Sequence, residues 1–134
     1  MVQRMALTLD VIEIVTADMA ASLGFYADLG LAVPPDAAQE PHVEIPLGGG
    51  LRLALDAETT IASYDSSFEP PAGAGRMAIA LRAGSPAEVD QVYARMTAAG
   101  HRSHLEPWDA FWGQRYTSLI DPNDVQVDIY CPLG

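Results

Sequence analysis

Trp108, Phe111 and Trp112 crowd three large aromatic rings into one short stretch, directly ahead of Gly113-Gln114-Arg115-Tyr116. Rings of this size on a loop above a sheet suit a flat, partly apolar ligand, each stacked pair adding about 0.5–1.5 kcal/mol beyond area burial. Trp108, flanked by Pro107 and Asp109, reads as the ring most open to a ligand. Trp112, leading into the next strand, and Phe111 read more readily as core or dimer packing. Asp56 and Glu44 offer carboxylates to amino or cationic groups, His42 lies near the expected cleft entrance, and Tyr64, with Phe68, falls where it could close the cleft. Trp108, Phe111, Trp112, Asp56, His42, Glu44 and Tyr64 are therefore the candidate ligand-binding residues. Arg115 and Asp128 fall on adjacent strands of the closing hairpin, so an ion pair between them, shared with Gln114, is expected to stiffen the cleft floor.

Other chemistries are poorly supplied. All seven basic residues are Arg, and the absence of Lys removes Schiff-base and P-loop chemistry. A formal charge of −11 repels phosphate backbones and anionic lipid, so neither nucleic acid nor membrane is an expected partner. His101 and His104 follow a helix without the geometry of a zinc pair. The lone Cys131 reads as a small hydrophobe near a strand end. It cannot form a disulfide within the chain, and no secretory signal or long apolar run is legible, so a cytoplasmic location is expected.

The elements that must position these residues occur twice. Leu7–Val15 alternates as a strand, Asp18 can cap a helix with Met19, Leu23, Tyr26 and Leu29 on one face, and Gly30 stops it. Val43–Leu47 and Leu51–Leu55 flank the turn Gly48-Gly49-Gly50. In the second half, Arg76–Leu81 is a strand, and Ser85-Pro86-Ala87-Glu88 opens a helix whose apolar face is Val89, Val92, Tyr93 and Met96. Tyr116–Ile120 and Val125–Tyr130 then flank Asp121–Asp124. Ile45–Leu53 can be laid over Leu119–Val127, strand for strand and turn for turn. Pro, Gly and Ser dominate Tyr64–Gly75, which separates a first module (1–65) from a second (76–134), with 66–75 as linker.

The strand leading to Asp18, the helix carrying Phe25-Tyr26, the Gly30-Leu31 turn, the helix ending in Ala99-Gly100 and the Asp121-Pro122-Asn123-Asp124 hairpin resemble the vicinal oxygen chelate superfamily. That group contains glyoxalase I, extradiol dioxygenases and bleomycin-type antibiotic-binding proteins. The resemblance implies an α+β fold of two βαβββ modules forming a cup-shaped mixed sheet, with two chains paired as a homodimer. It also implies four metal-ligand positions, which here fall at Val11, Ala54, Ala78 and Asp128. A single carboxylate holds a divalent ion weakly, so neither metal nor cofactor is expected. The segments around Pro41-His42, Arg52–Asp56 and Pro107–Tyr116 further resemble the mitomycin-binding branch of antibiotic-sequestering proteins. The expected function is metal-independent binding of a planar, aromatic, antibiotic-like molecule, for resistance or as a carrier. The alternative is a glyoxalase- or dioxygenase-type metalloenzyme with displaced ligands, among them Glu13, Glu44 and Asp56.

Overall fold

The computed structural model describes residues 8–70, 72, 75 and 77–134. Leu7 of the first expected strand, Pro71, Gly73 and Ala74 of the linker, and Arg76 of the second-half strand lie outside the described residues. The first half contains β1 (Val11–Thr16), α1 (Met19–Asp28), β2 (His42–Gly48), β3 (Leu51–Ala57) and the short α2 (Glu58–Ala62). The second contains β4 (Ala78–Arg82), α3 (Pro86–Ala98), β5 (Arg102–Ala110), β6 (Gln114–Ile120) and β7 (Gln126–Pro132).

Local chemistry accounts for the boundaries. Asp18 caps α1 by accepting from the Ala21 N–H at 3.0 Å, and Gly30 leaves the helix at φ 97°, where a side chain would be strained. Ser85 caps α3 through the Glu88 N–H, Pro86 occupies the first turn, and Glu88 reaches back to the Gly84 N–H rather than to that of Ser85.

The strands form two mixed sheets, ordered β1-β3-β2 and β4-β7-β6-β5. In each, the strand before the helix pairs in parallel with the last strand of its half. The overlay of the two halves holds in the ladders: Ile45 faces Leu53 and Glu44 faces Ala54, just as Leu119 faces Val127 and Ser118 faces Asp128. The halves differ in one strand. Where the second has β5, the first runs irregularly through Pro34, Pro35 and Pro41, whose missing N–H groups cannot serve a ladder. The sequence also gave no warning of α2, whose Ile61 is buried.

Each sheet turns one face to a shared core. Ile14, Val43, Ile45, Leu53 and Leu55 of the first pack in one cluster with Leu119, Val127 and Ile129 of the second and with Phe25, Tyr26, Val89 and Met96 of the helices. Burying each large apolar side chain stabilises by about 2 kcal/mol. Polar contacts join the halves as well: Tyr26 Oη donates to Asp121 Oδ2 at 2.7 Å, and Asn123 Nδ2 donates to Ser22 Oγ at 2.9 Å. Strand alternation leaves the opposite face of each sheet for function. Among the described residues no helix is long and apolar enough to cross a membrane.

Candidate functional site

On the first sheet, alternation places Glu13, Glu44, Ala54 and Asp56 away from the core, with Glu13 and Glu44 flanking Ala54 on one rung. His42 faces Asp56 on the next. Its Nδ1 lies 2.5 Å from Asp56 Oδ1 and its Nε2 2.9 Å from Glu44 Oε2. Arg52 completes the chain, donating to Glu44 at 2.5 Å and to Asp10. Hydrogen bonds to Glu44 and then to Asp56 hold the His42 pKa above its ordinary value, while those from His42 and Arg52 hold Glu44 below its own. Burial, followed by the charge of Asp56, pushes Glu13 up. An imidazole whose two nitrogens both face carboxylates is poised as a doubly donating cation. It has no lone pair to offer a metal in that state.

The four metal-ligand positions implied by the resemblance offer little to a metal. Val11, Ala54 and Ala78 carry only hydrocarbon, and Asp128 is held by protein donors. Among the described residues no three His, Cys, Asp or Glu side chains are arranged to hold a metal ion. The donor set does not fit a resident divalent ion, and the displaced carboxylates Glu44 and Asp56 are engaged by Arg52 and His42 instead.

The second sheet carries the rings. Trp108 belongs to β5, opposite Tyr116 of β6, and not to a loop as the sequence suggested: the ladder continues to the Ala110–Gln114 rung before a turn opens at Phe111, Trp112 and Gly113. Trp112 stands edge-to-face with Trp108, Phe111 and Tyr116, at centroid distances of 5.5, 4.9 and 5.4 Å. Its indole N–H donates to Gln114 Oε1 at 2.8 Å. Trp112 is 47% exposed and Trp108 38%, so Trp112 is at least as open as the ring ranked first. Phe111, at 91%, projects almost fully into solvent.

Arg115 and Asp128 do not pair. Ser118 faces Asp128 while Arg115 faces Cys131, an odd step along the strand, so the two side chains leave opposite faces of the sheet. Arg115 turns toward α3 and grips Asp90 at 2.9 and 3.1 Å and Asp109 at 3.1 Å. Asp128 Oδ1 instead accepts from Ser118 Oγ at 2.8 Å and Gln126 Nε2 at 2.9 Å. Burial and the neighbouring Asp128 push the Tyr116 hydroxyl up to about 12, so it remains a donor at neutral pH.

The structure thus gathers His42, Glu44 and Asp56 on one sheet and Trp108, Phe111 and Trp112 on the other. Tyr64, 72% exposed in the turn after α2, joins neither group. A cavity of about 350 Å³ lies between β1 and β4, lined by Ile12, Val15, Phe68, Met77, Ile79 and Val125, with Glu13 beside them. Phe68 was the only one of these apolar residues the sequence had marked as closing a cleft. The others read as ordinary strand residues, because only the approach of two strands distant in the chain makes a cavity between them.

Paired mixed sheets, each with a helix on one face and an open opposite face, define a class of two-module binding and catalytic folds. The chain belongs to the Glyoxalase/Bleomycin resistance protein/Dioxygenase superfamily, whose family pattern matches residues 8–129. Among solved structures it is similar to a glyoxalase/bleomycin resistance protein/dioxygenase from Nocardioides, with 26% identity and a TM-score of 0.77 over 98% of this chain and 87% of that one. A glyoxalase/bleomycin resistance protein/dioxygenase family enzyme from Burkholderia phytofirmans PsJN shares the fold at 18% identity, with a TM-score of 0.81 over 95% and 100% of the two chains. So does a lactoylglutathione lyase from Agrobacterium tumefaciens, at 19% identity and a TM-score of 0.67 over 96% of each. A search of curated proteins found no match.

Proposed function

We propose that this protein binds a planar, aromatic, antibiotic-like small molecule without a metal and sequesters it, in clefts completed by pairing of two chains. The observation that carries this reading is the cluster of exposed Trp108, Phe111 and Trp112 with half-buried Tyr116 on the β5–β6 hairpin. Large exposed rings lose apolar contact to water unless something covers them, and a flat ligand does so with little loss of side-chain entropy. The hydrocarbon at Val11, Ala54 and Ala78 supports binding over metal-assisted turnover. Sequestration would lower the free ligand concentration stoichiometrically, serving resistance or carriage in the cytoplasm.

A second reading, a glyoxalase- or dioxygenase-type metalloenzyme with displaced ligands, is favoured only by Glu13, Glu44, Asp56 and His42 sharing a sheet face. One experiment separates the two: tryptophan fluorescence titration of the purified protein against planar antibiotics, alongside its metal content. Quenching by at least one compound, weakened by about 2 kcal/mol or more in Trp108→Ala, is expected. Tightly held stoichiometric Ni, Fe, Mn or Zn would overturn the binding reading, as would a panel with no quenching compound.

A further inference from the structure

Asp128 is 9% exposed, yet among the described residues no cationic side chain pairs with it. The described Arg side chains serve other partners: Arg52 holds Asp10 and Glu44, Arg95 the carbonyls of Asp28 and Leu29, Arg102 Asp124, and Arg115 Asp90 and Asp109. Arg82, one rung along against Tyr130, forms no ion pair with it. The carboxylate is instead held by neutral dipoles, with Ser118 and Gln126 both donating to Oδ1. Among the described residues no buried side-chain polar atom lacks a hydrogen-bond partner. Neither donor is directed at Oδ2. The carboxylates of the first sheet provide the contrast, since Glu44 and Asp56 are paired with Arg52 and His42.

Tyr116 links this anion to the rings. It leaves the same face of the sheet as Asp128, two residues along from Ser118, and its ring is 5.4 Å from that of Trp112, which in turn meets Trp108 at 5.5 Å. A carboxylate fixed by dipoles beside a phenol ring, with two indoles beyond that ring, is a pattern that recognises an organic cation: the ring quadrupoles attract it, and the carboxylate gives it direction. A metal cation would require further ligands that this face does not offer.

We propose that Asp128, positioned by Ser118 and Gln126, selects planar aromatic ligands that carry a protonated amino or amidine-like group. This rests on the aromatic-binding reading above and adds the charge of the ligand to it. Two probes of matched shape test it at pH 8: 9-aminoacridine, a cation there, and acridine, which is neutral. Binding to the full chain is followed by tryptophan quenching, with circular dichroism confirming that each variant is folded. The native protein is expected to prefer the cation by about 10-fold, equivalent to about 1.4 kcal/mol. Asp128→Asn should reduce that preference to within about twofold while leaving acridine binding unchanged. Asp109→Asn, which removes the same charge from the opposite face of the sheet, should retain it. Ser118→Ala alters no charge and should weaken the preference partially by freeing the carboxylate to turn.

Acridine binding without a cation preference, or a preference that survives Asp128→Asn, would overturn this proposal and leave the aromatic-binding reading standing. An equal loss in Asp109→Asn would overturn it too, assigning the preference to the general negative field. Failure of both probes to bind would overturn this proposal, and the aromatic-binding reading falls with it when the antibiotic panel also gives no quenching.

Discussion

Tyr26→Phe removes one oxygen from the seam between the two halves, and the structure sets the size of the effect. The Tyr26 hydroxyl donates to Asp121 Oδ2 at 2.7 Å, and Asp121 is fully buried. Oδ1 is already occupied by the Asn123 and Val125 backbone N–H groups at 2.7 and 2.8 Å. Once the hydroxyl is gone, Oδ2 keeps only Asn123 Nδ2, at 3.3 Å. A hydrogen bond to a charged group contributes about 1.5–3 kcal/mol, and the desolvated carboxylate has no access to replacement water, so the upper half of that range is expected. For a chain of this size the loss corresponds to a fall in melting temperature of roughly 5–15 °C. Urea denaturation of wild type, Tyr26→Phe, Asp121→Asn and the double variant closes a thermodynamic cycle. A loss below about 0.5 kcal/mol in Tyr26→Phe, or additive single effects, would refute the view that this bond fastens α1 to the second hairpin.

Beyond the Trp108 and Asp128 titrations, two further outcomes are expected. His42 should titrate above its ordinary value of 6.5, and Glu44→Gln should lower its midpoint in an NMR titration because the hydrogen bond to Glu44 is the largest single cause of the shift. Since the folded value is the higher one, the associated stabilisation is complete below the unfolded value and fades as pH rises through the folded one. Urea stability should therefore decline across that window, and less so in Glu44→Gln. Ser85→Ala strips the α3 cap, which accepts from the Glu88 N–H at 3.2 Å, and should cost about 1 kcal/mol in urea denaturation; Ser85→Asp should restore most of it.

Much of the architecture is legible in the sequence. Alternation, caps at Asp18 and Ser85, and glycines at 30 and 100 placed the main helices and most strands within a few residues, because these signals act over one or two turns of chain. The overlay of Ile45–Leu53 on Leu119–Val127 anticipated the cross-strand partners in both hairpins. The candidate site was legible only in pieces. Trp108, Phe111 and Trp112 stand out by type, and His42, Glu44 and Asp56 by charge, but placing Trp108 in a loop underestimated how far the β5–β6 ladder extends.

Sequence alone determined which residues alternate, where helices begin and end, and that Val11, Ala54 and Ala78 bring only hydrocarbon to the metal positions the resemblance implies. Tertiary structure decided which face each side chain leaves, and with it the partners. Arg115 went to Asp90, Asp128 went to Ser118 and Gln126, and the cavity formed between β1 and β4. The reason is geometric: local propensities constrain a residue relative to its neighbours in the chain, whereas a one-residue change in strand register reverses every face, and register is set by the packing of the whole.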